Sequence, residues 1–192
     1  DGKVTNSVIH TLTRFSENEK QNIDQDMLLD MALRFNPEII CVGEMRSSEA
    51  YTAQESARTG HTVLTTIHSN SCEATYSRMR TLCKRKYDMD DEVLMDLVTE
   101  AFPIVVFTKQ LEDRSRKIME IIEGEDYLDG KLLYRSLYKY EVVDNVTLEG
   151  GETHVVGHHR KMCSISDGLI KRLLDNGISH KELEEFTGKV VD

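Results

Sequence analysis

The sequence predicts an α/β fold in which a parallel sheet lies between helices and is followed by an antiparallel extension and a small helical tail. Three observations carry this expectation. Short apolar runs at Ile39–Val42 and at residues 62–67 alternate with helical patterns, the order of parallel strands joined by crossovers. From Arg116 onward, stretches of alternating polarity succeed one another, with turn signals at residues 113–115 and at Asp129-Gly130. Near the carboxyl end, Ser179 followed by Glu182 marks the cap of the second of two short helices.

Taken in order, residues 22–35 place Met27, Leu28, Met31, Ala32 and Phe35 on one helical face, and Asn36-Pro37 supplies the stop. Ile39, Ile40, Cys41 and Val42 form a continuous apolar run, which predicts a strand buried on both faces. Ser47 or Ser48 can cap the next helix, with Glu49 in its first turn, and Thr59-Gly60 ends it. Asn70 and Glu73 suit a capping box for a helix that buries Ala74, Tyr76, Met79 and Leu82. Residues 91–102 form another, burying Val93, Leu94, Leu97, Val98 and Ala101 and closed by Pro103. A third apolar strand covers residues 104–107, polar-alternating strands cover 116–122 and 131–142, and Glu149-Gly150-Gly151 is a flexible turn before the tail.

The chain has 192 residues, enough for one domain or one domain with a small appendage. With 39% hydrophobic and 30% charged residues it belongs with globular rather than disordered chains. A formal net charge of -10 argues against a surface built to neutralise nucleic-acid phosphates, so no direct nucleic-acid binding is expected. The basic triplet Lys84, Arg85, Lys86 is read as a solvated helix end. Cys41, Cys72, Cys83 and Cys163 lie far apart without a C-x-x-C pair, as reduced thiols do. No apolar stretch approaches the roughly 18 residues of a membrane span, and no signal peptide opens the chain. The start at Asp1 reads as the middle of a longer protein.

The chemistry concentrates at the end of the first strand. An apolar run that delivers an acid to a strand's carboxyl end places that acid in the crevice where ligands bind in open α/β sheets, and Glu44 stands there after Gly43. Beside a terminal phosphate such a carboxylate would polarise an attacking water. Alone the signal is unspecific, because acids at strand ends are common. His154, His158, His159 and Cys163 are chemically suited to zinc, yet their spacing matches no zinc motif, and an exposed polar loop accounts for them. Arg114 and Arg116 are read as exposed hairpin arginines, with a reach into a neighbouring subunit's site as the alternative.

The whole stretch NPEIICVGEMRSSEAYTAQESARTGHTVLTTIHSNS, residues 36–71, resembles the ATPases of type II and type IV secretion and of type IV pili. The segment P-E-I-I-C-V-G-E-M-R, the following E-A helix, then T-G-H and T-I-H-S-N occur in that family's order. The T-I-H-S-N-S string and the later FPIVVFTKQLEDRSRKIMEIIEGE resemble its tight-adherence pilus and conjugation branch. The resemblance implies the carboxyl portion of a RecA-like P-loop domain over residues 1–145, with residues 146–192 a strand and helical appendage. It implies that Glu44 activates the attacking water and that Arg46 either steadies the phosphate side of the site or contacts the neighbouring segment. His61 and His68 match the family's histidine box near the terminal phosphate, and Thr59 and Gly60 adjoin it, first as a helix stop and turn.

The same resemblance implies ATP and Mg2+ as ligands of the full-length protein, a hexameric ring, and inner-membrane secretion or pilus platform proteins as partners on the cytoplasmic face. No G-x-x-x-x-G-K-[ST] loop occurs in these residues, so the chain alone is expected neither to hold nor to hydrolyse ATP. The acidic segment that usually lies between that loop and the glutamate is expected to be lost or reduced to the region before Val4. The rivals are a non-catalytic module that docks to a secretion platform and a helicase-like motor. Intact Glu44, His61 and His68 argue against the first, and the acidic balance against the second.

Overall fold

The computed structural model describes residues 7–148 and 150–187. The region before Val4 and Glu149 of the expected turn lie outside them. The chain divides into two compact units. The first contains the described residues up to Ile67 together with Leu82–Asp88, and the second contains His68–Thr81 and the rest from Met89 onward.

In the first unit, α1 spans Gln25–Leu33, β1 Ile39–Val42, α2 Glu49–Arg58 and β2 Thr62–Thr65. Helix α1 starts where the Asp24 carboxylate accepts the Met27 amide at 2.8 Å. It ends before Asn36, which turns the chain at φ 49 ahead of Pro37. The two strands pair in parallel, Ile39 beside Thr62 through Val42 beside Thr65. The three elements β1, α2 and β2 are thus a parallel unit of the expected kind.

Its burial differs from the expectation. Ile40 and Val42 are buried, but Ile39 is 58% exposed, and Leu64, the neighbour of Cys41 on β2, is 56% exposed. Helix α2 packs against β2 with Ala50 and Ala53 fully buried. Within this unit no described element covers the other face of the strands. The helix shows the same pattern. On α1 it is Leu29 that is buried, while Met27, Met31 and, just beyond its end, Phe35 are exposed. Both apolar surfaces read from the sequence exist, but the partner each needs is not among the described residues.

Helix α1 is fastened to α2 by a polar cluster instead. The Lys86 ammonium donates to the Asp26 carboxylate and the Thr52 hydroxyl, each at 2.8 Å, and Thr52 also donates to Asp26. Burial is the largest influence on Lys86 and works against its charge, but the hydrogen bond to Asp26 and the negative charges of Asp26 and Asp30 together outweigh it and hold the amine above its usual value. Lys86, at the end of the basic triplet, is therefore a structural fastening rather than part of a solvated helix end.

The second unit holds α3 Cys72–Cys83 up to Thr81, α4 Asp91–Ala101, β3 Ile104–Gln110, β4 Arg116–Leu128, β5 Lys131–Thr147, β6 Thr153–Lys161, α5 Asp167–Asp175 and α6 His180–Thr187. Ser71, not Asn70, caps α3, its hydroxyl accepting the Ala74 amide at 3.0 Å. The strands form one antiparallel sheet in the order β3-β4-β5-β6, so the apolar β3 is an edge of this sheet. Asp129 at φ 51 and Gly130 at φ 76 make the two-residue turn between β4 and β5, as the Asp-Gly pair predicts.

Helix α4 lies on β4, where Leu94, Met95, Val98 and Ile122 are buried. Val93, expected inside, is exposed. The Tyr76 hydroxyl reaches across this core to donate to the Phe102 carbonyl at 2.7 Å. Gly124 lies under that ring. A Cβ there would sit 2.4 Å from the tyrosine oxygen. Burial pushes the Cys72 thiol up to about 11 and the Cys83 thiol up to about 12, so both stay protonated near neutrality.

A second, smaller core gathers Leu137, Ile165 and Leu183 with Ile170 and Leu173 of α5. The buried Glu123 carboxylate accepts the Ser166 amide at 2.8 Å and the Ser166 hydroxyl, while that hydroxyl caps α5 at the Leu169 amide. The carboxyl-terminal helices are thereby tied to the sheet, and β5 runs through position 145.

Two outcomes follow. Gly124→Ala lowers the unfolding free energy by about 1–3 kcal/mol in urea titration, because the methyl has no room beneath Tyr76. An unchanged midpoint would contradict the packing. In native protein, iodoacetamide at mildly alkaline pH labels the exposed Cys41 well before Cys72 and Cys83, which react only on unfolding. Equal labelling of all three rules out the burial described.

Candidate active site

Strand β1 delivers its carboxyl end into a turn, Gly43 to Ser48, that leads directly into α2. Met45 points inward and is fully buried, which turns its neighbours Glu44 and Arg46 outward. The turn is fastened from every adjoining element of the first unit. From β2's end, Thr66 donates its hydroxyl to the Gly43 carbonyl at 2.6 Å and accepts the Met45 amide at 2.9 Å. From α1, Gln25 Nε2 donates to the Glu44 carbonyl at 3.0 Å. From the segment after α3, Arg85 Nη1 donates to the Arg46 carbonyl at 3.0 Å. From α2, the Glu49 carboxylate accepts the amides of Arg46 and, at 2.8 Å, Ser47.

On this frame the Arg46 guanidinium donates to the Glu44 carboxylate. Glu44 raises the arginine above its ordinary value, first through the hydrogen bond and then through charge, so the arginine stays cationic at any physiological pH. The arginine side chain is 72% exposed and the glutamate 21%. Both line a groove of ≈ 470 Å³ together with Asp24, Gln25, Asp26 and Phe15. An acid and a guanidinium at the mouth of a groove can order a water and meet a phosphate oxygen. Among the described residues no group of three or more His, Cys, Asp or Glu is placed to hold a metal ion. A magnesium ion here would take one or two carboxylates from the described residues, with its other positions filled by phosphate oxygens and water, a common arrangement for that ion.

Thr59, Gly60 and His61 lie at the other end of β2. The parallel register sets Thr62 beside Ile39, so His61 precedes the strand while Glu44 follows β1, with the whole length of the paired strands between them. Thr59 closes α2 with its hydroxyl on the Glu55 carbonyl at 2.9 Å, and Gly60 turns the chain at φ 106. The His61 amide donates to the Ser56 carbonyl at 3.2 Å. The structure does not bring these three to Glu44, because parallel strands put their beginnings together at one end and their ends at the other. His68 comes two residues after Thr66, where the chain enters the second unit.

Arg114, in left-handed backbone at φ 61, and Arg116 are exposed on the β3–β4 hairpin. The polar residues of β6 have separate partners: His159 Nε2 is 2.9 Å from the Ile118 carbonyl, His154 approaches Asp113 at 3.9 Å and His158 approaches Glu141 at 3.8 Å. Cys163 donates to the Ser136 carbonyl at 2.9 Å. Sequence reasoning missed Gln25, Glu49, Thr66 and Arg85 as residues of this site. Glu49 was visible only as the acid in a helix's first turn, and Arg85 belongs to the triplet read as solvated.

The family described as Type II/IV secretion system protein matches residues 4–122 of this chain. Competence protein ComGA of Halalkalibacterium halodurans is 31% identical over 125 residues, 59% of this chain and 36% of that protein. The probable conjugal transfer protein TrbB of Sinorhizobium fredii is 28% identical over 135 residues, 69% of this chain and 38% of that protein. The type IV pilus assembly ATPase PilB of Pseudomonas aeruginosa is 38% identical over 69 residues, 35% of this chain and 12% of that protein. The chain thus spans well under half the length of these relatives. With the match extending over more than half of its residues, the chain belongs to the Type II/IV secretion system protein family.

Proposed function

We propose that this chain is part of an ATP-hydrolysing motor that powers protein secretion, pilus assembly or conjugative transfer, and that it contributes the glutamate that activates the attacking water. The observation that carries the reading is Glu44 itself. It stands at the carboxyl end of a parallel strand, on a turn held by side chains from each neighbouring element, with a guanidinium beside it. Relatives named for conjugal transfer and pilus assembly support the choice of motor class.

In the reaction, water attacks the terminal phosphorus of ATP in line with the bond to ADP. Glu44 accepts the water's proton as the new P–O bond forms and the bond to ADP breaks. Arg46, released from Glu44, meets the charge on the transferred group, and one carboxylate from this chain is enough for a magnesium shell otherwise made of phosphate oxygens and water. His68 is the histidine on this reading that signals the phosphate. His61, with Thr59 and Gly60, serves the turn into β2.

The phosphate loop belongs to a part of the protein outside these residues. A parallel sheet of two strands with one face left open by the described residues is too small to stand alone, and parallel strands are ordinarily covered on both sides. This supports residues 1–145 as part of a RecA-like domain whose remaining strands and helices complete that sheet. The part appended beyond residue 145 comprises β6, α5 and α6, with β5 running across the boundary to Thr147. The full protein is proposed to assemble as a hexamer on the cytoplasmic face of a membrane, against platform proteins. A non-catalytic docking module would share the fold, but it would not require the acid and arginine of the turn.

In the full-length protein, Glu44→Gln keeps nucleotide affinity and lowers ATP hydrolysis about a hundredfold or more in a phosphate-release assay. Hydrolysis at the unaltered rate would remove the role given to Glu44. The isolated chain of 192 residues shows no magnesium-dependent hydrolysis in the same assay. Measurable turnover by it would show that the phosphate site is complete without the rest of the protein.

A further inference from the structure

We propose that Glu49 is a positioning residue of this site: its carboxylate fixes the backbone from which the Arg46 guanidinium meets Glu44. The inference rests on the reading of Glu44 as the water-activating group.

Glu49 is only 4% exposed, and a carboxylate is brought that far from water only where donors repay its lost hydration. The donors are the amides of Arg46 and Ser47, both held by the same oxygen. Amide bonds to a carboxylate are stronger than neutral ones, and two of them from successive residues fix the local direction of the chain.

These bonds are not an ordinary helix cap. Ser48 is the N-cap of α2 and makes no side-chain cap bond, and Glu49 is the first helical residue. The amides it binds precede the cap, so the helix's own first-turn donors gain nothing from them. What Glu49 orders is the turn. Its effect is directed at Arg46, whose amide it holds while Arg85 holds the carbonyl of the same residue. Both polar backbone groups of Arg46 are thereby pinned, although its side chain is largely exposed. A flexible surface arginine ordinarily samples many positions. Here its base is fixed and its freedom is confined to the side chain, which can exchange Glu44 for a phosphate oxygen without moving the turn.

Displacements of about 1 Å in a catalytic geometry can lower rates on the order of a hundredfold. Glu49→Ala in the full-length protein is therefore expected to reduce kcat for ATP by about 10- to 100-fold while KM changes by no more than about threefold. Glu49→Gln keeps an oxygen that accepts both amides and recovers kcat to within about fivefold of the unaltered enzyme. Binding of a fluorescent ATP analogue establishes that each variant retains its fold and its nucleotide site. The proposal is overturned if Glu49→Ala leaves kcat unchanged, if Glu49→Gln is as damaged as Glu49→Ala, or if nucleotide affinity falls as far as kcat does. Glu44→Gln measured alongside separates the two readings. An active Glu44→Gln enzyme removes the catalytic assignment, whereas an inactive one beside a fully active Glu49→Ala enzyme removes only the role of Glu49.

Discussion

Everything proposed for this chain depends on the fastening of one short turn. A carboxylate at the end of a strand is useful to a reaction only if its backbone does not wander, and an isolated turn has no ladder of its own to hold it. Here that function is distributed. Thr66 carries the register of β2 one step beyond the strands, Gln25 comes from the first turn of α1, Glu49 from the start of α2, and Arg85 from the segment that follows α3. Buried Met45 supplies the apolar anchor between them. The polar contacts set direction and the methionine sets depth, so Glu44 and Arg46 project outward from a frame made by residues far apart in sequence.

The same unit shows how a sequence can specify surfaces that its own described residues do not cover. Ile39, Leu64, Met27, Met31 and Phe35 are apolar and exposed. They lie on one face of the short parallel sheet, on α1 and just beyond its end. Each belongs to a pattern that normally faces a partner. In the second unit the antiparallel sheet has such partners: α4 covers β4, and α5 and α6 close a smaller core around Leu137 and Ile165. Even so, this sheet leaves large apolar side chains exposed as well, among them Val106, Ile118, Val142 and Val143.

Much of this was legible in the amino acids because local chemistry decides it. Asp129-Gly130 makes its hairpin because both positions need left-handed backbone, and Ser179 with Glu182 caps a helix by contacts three residues apart. Glu44 could be placed at the end of β1 because an apolar run followed by glycine and an acid leaves it no other position. What was not legible depends on distance. Lys86 and Arg85 look like a solvated helix end until Asp26 and Arg46 are found beside them, 60 and 39 residues away in sequence. The two histidines are grouped by their match to the histidine box of the resembled family, and only the parallel register separates the end at which His61 precedes the strand from the end beyond which His68 follows. Burial of β1 was overestimated for a related reason: an apolar run reports what the strand requires, not what the residues at hand provide.

The most direct test of the central claim is a structure of the full-length protein with ADP, magnesium and a planar mimic of the transferred phosphoryl group. The Glu44 carboxylate is predicted to lie within about 3 Å of a water in line with the leaving oxygen, with Arg46 withdrawn from it toward the mimic. A Glu44 still paired with Arg46 and turned away from the nucleotide, with another carboxylate on the in-line water, would contradict the account.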